Sequence, residues 1–302
     1  MRISVIICTK NRKDDLRISL NGFYSQDYDN FEVIIIDNAS DDGTKEMIFN
    51  EFPQVIYTYL PININILAQN IGISQATGEI IWRTDSDSHP EKTDTFKKII
   101  SIFNSQPNLD IISTTETLVK KDYTEVELST LDRKNGNDID GYLVKSFSGP
   151  GSAIRKSVFN KVGYYWEFGM EELDLSIRAL KNDLTIKHFP QIRTLHYSSD
   201  NDRNRNERWL NISNQNLRII VKYYPISRLF NLVICYFGQL LVGLGQRVKF
   251  SFFVEYLFQS VVTVIKTWRD EREPVPSKDF ERVIGKNEYY KGFFSYLKNL
   301  FK

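Results

Sequence analysis

The sequence predicts an α/β protein: a mainly parallel sheet flanked by helices, with a helical C-terminal extension. Three observations predict it. Short β-branched runs alternate with helix-period segments through the first hundred residues, the pattern of strand–helix–strand units around a parallel sheet. The second and fourth of these runs lead into Asp37 and Asp85, and the carboxyl ends of parallel strands are where such sheets bind ligands. The composition also changes after residue 225. Residues 226–302 hold 12 Lys/Arg against 7 Asp/Glu, a net of +5, whereas residues 1–225 hold 27 against 31, a net of −4. That shift sets the expected boundary between a domain of residues 1–225 and an extension of residues 226–302.

Residues 3–8 (ISVIIC) form the first expected strand, broken by the polar residues 9–12. A helix follows over residues 14–24, with apolar positions 16, 18, 20 and 23. Residues 31–36 (FEVIII) are a second buried strand, residues 41–52 a helix with Asp and Thr near its start, and residues 55–60 a third strand. Residues 70–77 suit a helix capped by Gly78, and residues 79–83 (EIIWR) a fourth strand. Beyond these come a helix at 93–103 and a strand at 110–114. Residues 120–142 are polar and without period, as an excursion or loop would be. Helices are expected at 171–180, with Leu173, Ile177 and Leu180 on one face, and at 213–224, stopped by Pro225.

Composition excludes several classes. At 302 residues, 25% charged and 41% hydrophobic, the chain is neither disordered nor a multi-span membrane protein. Lys+Arg is 39 and Asp+Glu 38, so a globally basic nucleic-acid binder is not indicated. Cys8 and Cys235 supply neither zinc-site spacing nor a disulfide framework, which points to a reducing compartment. The apolar run in MRISVIICTKNR is too short for a signal peptide and lacks a small-residue cleavage site. Residues 229–245 carry no charge, and residues 250–265 are nearly as apolar. Counted this way, both fall short of the roughly 20 residues that cross a bilayer. Trp268, Tyr289, Tyr290 and flanking basic residues suit a membrane interface. Surface association is the favoured reading of this tail, ahead of a buried hairpin or dimer contact and of a true span.

Four groups of residues carry candidate chemistry. Asp85-Ser86-Asp87 follows a buried strand. In an extended segment two carboxylates one residue apart point the same way and can share Mg²⁺ or Mn²⁺. A surface turn rich in Asp and Ser has the same signature. Asp37 opens a polar segment and suits either a base or ribose contact or a turn ahead of a helix cap. Glu171-Glu172-Leu173-Asp174 gathers three carboxylates at a helix start, and such neighbours raise one another's pKa, as a general base requires. A solvated charge cluster is the plain alternative. Of the three histidines, His89, His188 and His196, each is compatible with a structural role, and His196 gains interest if the fold brings it to Asp87.

Taken in order, these pieces resemble family 2 glycosyltransferases of the GT-A fold. Residues 4–12 (SVIICTKNR) resemble the family's opening strand and loop; residues 25–28 (SQDY) and 32–44 (EVIIIDNASDDGT) follow as they do there. Asn70-Ile71-Gly72-Ile73 and residues 76–80 (ATGEI) resemble the segment before its metal motif, and Asp85-Ser86-Asp87 falls at the D-x-D. Residues 149–155 with Val162-Gly163 resemble the start of the acceptor half, and Glu171-Glu172-Leu173-Asp174-Leu175 with Arg178 its E-D-x-D-L-x-x-R segment. The resemblance spans about residues 1–225. Asn65 and Gln69 stand where Gly and Arg are common; Asn tolerates left-handed geometry, and loss of the Arg removes a phosphate contact. Arg83 replaces a commonly apolar residue and is expected to face the diphosphate.

The resemblance implies a Rossmann-like GT-A domain that transfers a sugar from a nucleoside diphosphate sugar, with inversion. By analogy Thr9, Arg12, Asp37, Asp85 and Ser86 bind the nucleotide sugar, Asp87 holds a divalent cation (Mn²⁺ or Mg²⁺), His196 is a further metal or diphosphate ligand, and Glu172 is the base. The expected donor is a UDP- or dTDP-hexose or deoxyhexose, the acceptor a surface glycan or lipid-linked oligosaccharide, and the location the cytoplasmic face of the cell membrane. A nucleotidyltransferase is the first alternative, but residues 8–15 (CTKNRKDD) lack the glycines of its phosphate loop. A non-catalytic glycan-binding scaffold is the second, and the joint presence of Asp85, Asp87 and Glu172 argues against it.

Overall fold

Strand β1 (Ile3–Thr9) is apolar up to Cys8 except for Ser4 because both its faces are covered, and it is an interior strand of the sheet. The computed structural model describes residues 1–120, 122, 124–127, 135–197 and 204–285. It divides into two compact units, Met1–Glu167 with Glu171–Asn201, and Phe168–Met170 with Asp202–Lys302.

In the first unit the order is β1, α1 (Lys13–Tyr24), β2 (Phe31–Asn38), α2 (Thr44–Glu51), β3 (Ile56–Leu60), α3 (Leu67–Gln75), β4 (Ile80–Asp85), β5 (Ser88–Pro90), α4 (Thr95–Ser105) and β6 (Ile111–Val119). Then come β7 (Glu125–Glu127), β8 (Gly136–Asn137), β9 (Gly141–Leu143), β10 (Ser152–Arg155), α5 (Lys156–Val162), α6 (Glu171–Lys181) and β11 (Ile186–Tyr197). The sheet runs β3-β2-β1-β4-β10-β6-β11-β9-β8. Its first four strands are parallel, with Thr9 opposite Asp37 and Cys8 opposite Asp85. Strand β10 enters antiparallel between β4 and β6, and β6 and β11 are parallel again. The predicted α/β sheet with flanking helices is therefore present, but it is mixed and not mainly parallel: β3-β2-β1-β4 and the β6–β11 pair are parallel, while β5, β7, β8, β9 and β10 all pair antiparallel.

Three differences from the sequence reading have physical causes. The strands β5, β10 and β11 escape the reading: β5 is three residues long, β10 is masked by Gly and Ser, and β11 mixes polar residues with apolar ones and carries Pro190 at an irregularity. Residues 120–142 are not wholly irregular, since β7 and β8 lie within them and β9 begins there; residues 121, 123 and 128–134 are outside the description. Gly78 does not cap α3, which ends at Gln75. A Cβ there would lie 2.7 Å from the Arg2 carbonyl oxygen and 2.9 Å from Ser4 N, so glycine is needed for close backbone approach. Asn65, by contrast, does take the left-handed conformation, at φ 50°.

The main core fills one side of the sheet. Leu16, Leu20 and Phe23 of α1 and Phe96, Ile99 and Phe103 of α4 pack on Val5, Ile7, Val33, Ile35 and Trp82. Trp82 meets Phe96 edge-on at 5.5 Å. These apolar contacts set the carboxyl ends of β1, β2 and β4 side by side.

The second unit is helical: α7 (Arg205–Tyr223), α8 (Phe230–Gly245), α9 (Phe250–Lys266) and α10 (Phe280–Val283). Helix α7 starts at the Asn204 cap, whose side chain accepts from Asn206 N and Glu207 N. It begins well before the expected residue 213 because residues 205–208 are polar and hide the period. The compositional boundary at 226 falls inside this unit, since α7 packs with α8 and α9. Trp209 lies 5.0 Å from the Phe253 ring and 5.2 Å from that of Tyr256. A Cβ at Gly243 would come within 2.8 Å of Trp209, so the helices touch there through glycine. Read from Ile226, the helical stretch to Gly245 is 20 residues, which by length and composition is enough to cross a membrane; counting from 229 understates it.

Candidate active site

The site lies at the carboxyl edge of β1, β2 and β4 and is completed by β11. Asp85 is the last residue of β4. The chain then turns through Ser86 and Asp87 instead of remaining extended, and the Ser88 hydroxyl holds that turn by contacts of 3.2 Å to both Asp85 N and Asp85 O. Strand β11 pairs with β5 so that His196 stands opposite Ser88, and Tyr197 N donates to the Asp87 carbonyl at 2.8 Å. This pairing, which joins residues more than 100 apart in sequence, brings His196 to Asp87: Nε2 is 3.3 Å from Asp87 Oδ1.

Asp85, Asp87 and His196 each offer a ligand atom, and these atoms lie within 4.8 Å of one another. Two carboxylates and an imidazole suit Mn²⁺ or Mg²⁺. His196 Nδ1 is fixed by Glu116 Oε1 at 2.6 Å, and the Ser148 hydroxyl donates to Glu116 Oε2 at 3.1 Å. A carboxylate on the far nitrogen is the usual support of a metal-binding histidine. Burial works against charging His196, but its hydrogen bonds to Asp87 and Glu116 and the charge of Asp85 outweigh burial and lift its pKa to about 10 without a metal, so as a metal ligand His196 would have to give up its Nε2 proton. Glu116 was missed by the sequence reading, which ended the strand at 114; the Thr-rich continuation to Val119 was the available signal.

Arg12, in the loop after β1, ion-pairs with Asp87. The Thr9 hydroxyl is buried at the same edge with no hydrogen-bond partner among the described residues. Ser86 is buried, and its carbonyl accepts from Ser19 at 3.0 Å. Asp37 is fully buried: Oδ1 accepts from Ser40 N at 2.8 Å and Oδ2 from the Tyr57 hydroxyl at 2.7 Å. Both its oxygens thus brace the loop after β2. Asp42 ties that loop to the first helix, accepting from Lys13 N at 2.9 Å and Thr44 N at 3.1 Å. His89 and His188 are structural: His89 stacks on Tyr197 at 5.6 Å, and buried His188 faces Thr115.

Glu172 sits in the first turn of α6, with Oε1 3.2 Å from Arg83 Nη2. Burial is the main cause that pushes its carboxyl pKa up to about 7; Arg83 pulls the other way, and Glu171 and Asp85 add to the rise. The neighbouring acids divide differently. Asp174 is bound by Arg178 at 2.8 Å, and Arg178 also donates to the carbonyls of Val162, Gly163 and Tyr164. That pair clamps the loop leading into α6. Arg83 does not point away to solvent: it is buried and contacts Asp85 at 3.3 Å as well as Glu172.

Comparison with known proteins accords with this geometry. The model of the family described as "Glycosyl transferase family 2" matches residues 4–163. A probable glycosyltransferase, YdaM of Bacillus subtilis, is 22% identical over 284 residues, covering 85% of this chain and 67% of its own. Poly-beta-1,6-N-acetyl-D-glucosamine synthase of Staphylococcus epidermidis is 24% identical over 201 residues, covering 63% of this chain; the chain spans about half of that relative, 48%. Among solved structures, S. aureus TarS 1-349 in complex with UDP-GlcNAc aligns with a TM-score of 0.63 at 16% identity, covering 88% of this chain and 81% of that one. The mannosyltransferase PcManGT from Pyrobaculum calidifontis, in complex with GDP-Man and Mn2+, aligns at 0.55 and 16% identity, covering 99% and 84%. With the family model covering over half of its length and the GT-A sheet in place, the chain belongs to the family 2 glycosyltransferases.

Proposed function

We propose that the enzyme moves a single hexose or deoxyhexose from a UDP- or dTDP-sugar to a glycan or lipid-linked acceptor, with inversion, in surface polysaccharide or glycoconjugate synthesis. The observation that carries the reading is the pairing of the Asp85–Asp87–His196 cluster with a carboxylate held near pH 7, Glu172, across one buried guanidinium. Asp87 and His196 would hold a divalent cation, and Asp85 with Thr9, Arg12, Asp37 and Ser86 would bind the nucleotide sugar. The cation would supply charge neutralisation to the departing diphosphate. Glu172 accepts the proton of the acceptor hydroxyl as that oxygen bonds to C1. The C1–O bond to the diphosphate breaks, and the nucleoside diphosphate leaves with its electron pair. One displacement inverts C1 and needs no enzyme nucleophile.

The second unit motivates the assignment to the cytoplasmic face of a membrane. On α8, Phe230, Val233, Phe237, Leu241 and Leu244 are exposed at three- and four-residue spacing. Phe258, Val261, Val262, Ile265 and Trp268 continue the theme along and just beyond α9. The opposite side of α8 is occupied, since Trp209 donates to the Gln239 carbonyl at 3.1 Å and Ser213 to its side chain at 3.1 Å. A helix apolar on one face and packed on the other lies on a bilayer more readily than through it. Tyr289 and Tyr290 lie outside the described residues.

The test is hydrolysis and transfer with a panel of nucleotide sugars, with Mn²⁺, Mg²⁺ or EDTA. Release of one nucleoside diphosphate that requires the metal and is lost in Asp87→Ala supports the reading. Transfer that proceeds equally in EDTA, or with retention of anomeric configuration, overturns the corresponding part.

A further inference from the structure

Arg83 is an anomaly in its strand. Strand β4 begins Ile80-Ile81-Trp82, all fully buried, and Arg83 follows them at 4% exposure. Burying a guanidinium costs several kcal/mol unless its charge is met, so such a group needs a reason to be there. Two carboxylates meet it. Arg83 Nη1 is 3.3 Å from Asp85 Oδ1, and Nη2 is 3.2 Å from Glu172 Oε1. Its Nε makes no hydrogen bond among the described residues, so the side chain is directed by these two charges and not by the surrounding backbone.

The chain is also shaped to seal this contact. The segment Ser148-Gly149-Pro150-Gly151 crosses directly over it, with Gly151 N donating to the Arg83 carbonyl at 3.0 Å. A Cβ on Gly149 would fall on Arg83 Nη1 and lie 2.5 Å from Glu172 Oε1. The absence of a side chain at 149 is thus what lets the pair close beneath the backbone. Glu172 sits on α6, Arg83 on β4 and Gly149 ahead of β10, so three separate elements converge on one ion pair.

We propose that Arg83 is a positioning residue: its guanidinium holds the Glu172 carboxylate in place for proton transfer and ties it to Asp85 on the donor side. This deepens the proposed function and rests on Glu172 being its base. Arg83 need touch neither sugar. It sets where Glu172 stands and how readily it ionises, together with the other groups facing Glu172, which are Glu171 on the same helix, Asp85 on β4 and Tyr165 in the loop before α6. Because Arg83 favours the charged carboxylate, its loss makes Glu172 harder to ionise.

The experiment compares Arg83→Met, Arg83→Lys and Gly149→Ala in the full chain. The Glu172 carboxyl is followed by ¹³C NMR titration, assigned with Glu172→Gln, alongside the pH profile of kcat. Removing an opposite charge at this range moves a carboxyl by about 1–3 pH units. In R83M both the NMR midpoint and the acid limb of kcat should rise by at least one pH unit, with kcat at pH 7 down about fivefold or more. R83K should restore most of the limb position. G149A keeps every charge and displaces only flexible side-chain ends, so it should fold normally and still move the limb upward. An unmoved Glu172 midpoint in a folded R83M overturns the proposal, as does an unmoved G149A. If the midpoint shifts but no variant, wild type included, transfers sugar, the proposed function fails while the Arg83 linkage stands.

Discussion

Glu172→Gln gives the sharpest test of the base assignment, because its charge state has opposite consequences for rate and stability. Burial pushes the carboxyl up to about 7. A base with that pKa is about one-tenth ionised at pH 6 and nine-tenths at pH 8, so kcat should climb about tenfold across that interval. Glu172→Gln removes the proton acceptor and keeps the shape; the expected loss at pH 8 is about 10²–10⁴-fold, with the acid limb gone. Stability runs the other way. The folded pKa lies above the unfolded value of 4.5, so the fold binds the proton more tightly than the unfolded chain. Wild-type stability therefore falls as pH rises from 4.5 through about 7. The neutral amide escapes this. At pH 8 the variant should be the more stable protein by at most about 3 kcal/mol, less whatever solvent screens of a side chain that is partly open. At pH 4 the difference should vanish. The assay is transfer rate under saturating donor and acceptor from pH 5.5 to 8.5, with thermal melts at both ends. A flat wild-type rate from pH 6 to 8, or a Gln variant within about threefold of wild type, refutes the reasoning.

Three further outcomes are expected. Mn²⁺ binding, read by electron paramagnetic resonance of the purified protein, should be lost in Asp87→Ala and weakened about 10–100-fold in Glu116→Ala, because Glu116 orients His196 from behind; unchanged binding in both would remove the cluster from consideration. Gly78→Ala should lower stability by about 1–3 kcal/mol, since the new Cβ meets the Arg2 carbonyl and Ser4 N, which are backbone and cannot swing aside; an unaltered melting temperature contradicts this. Phe237→Asp with Val262→Asp should release the protein from anionic vesicles by at least tenfold in sedimentation, both residues being about 60% exposed, and retention by the vesicles would count against the membrane surface.

Much of the first unit was legible because local rules and the fold agree there. The runs 3–8 and 31–36 and residues 80–83 are buried on both faces, so their lack of alternation is itself the strand signal. Asp37 and Asp85 were found because each ends such a run. What the sequence did not reveal depends on pairing across long separations. Strand β11 alternates imperfectly, and only its register with β5 and β6 turns His196 toward Asp87 and Glu116. Glu116 looks like one acid among threonines until that register is known. Arg83 was noticed as an intruder in an apolar run, but its partner Glu172 is 89 residues away and reached through a helix start. The start of α7 was misread for a local reason: its first turn is polar all round, and only the Asn204 cap marks it.

The charges of the site are arranged so that neighbouring acids do different work. Six carboxylates gather here, and without countercharges they would raise one another's pKa together. Asp87 is met by Arg12 and by His196. Glu116 is met by His196 from the other side, and Asp174 is taken out of the set by Arg178. Asp85 and Glu172 are left to share one guanidinium between them. Glu172 also has a second carboxylate beside it, Glu171, and burial acts against its charged form. Burial is the main cause of its elevated pKa, and half a countercharge does not cancel it. Arg83 opposes that rise, so the shared guanidinium limits how far burial lifts Glu172 and keeps it near the pH at which it can take a proton.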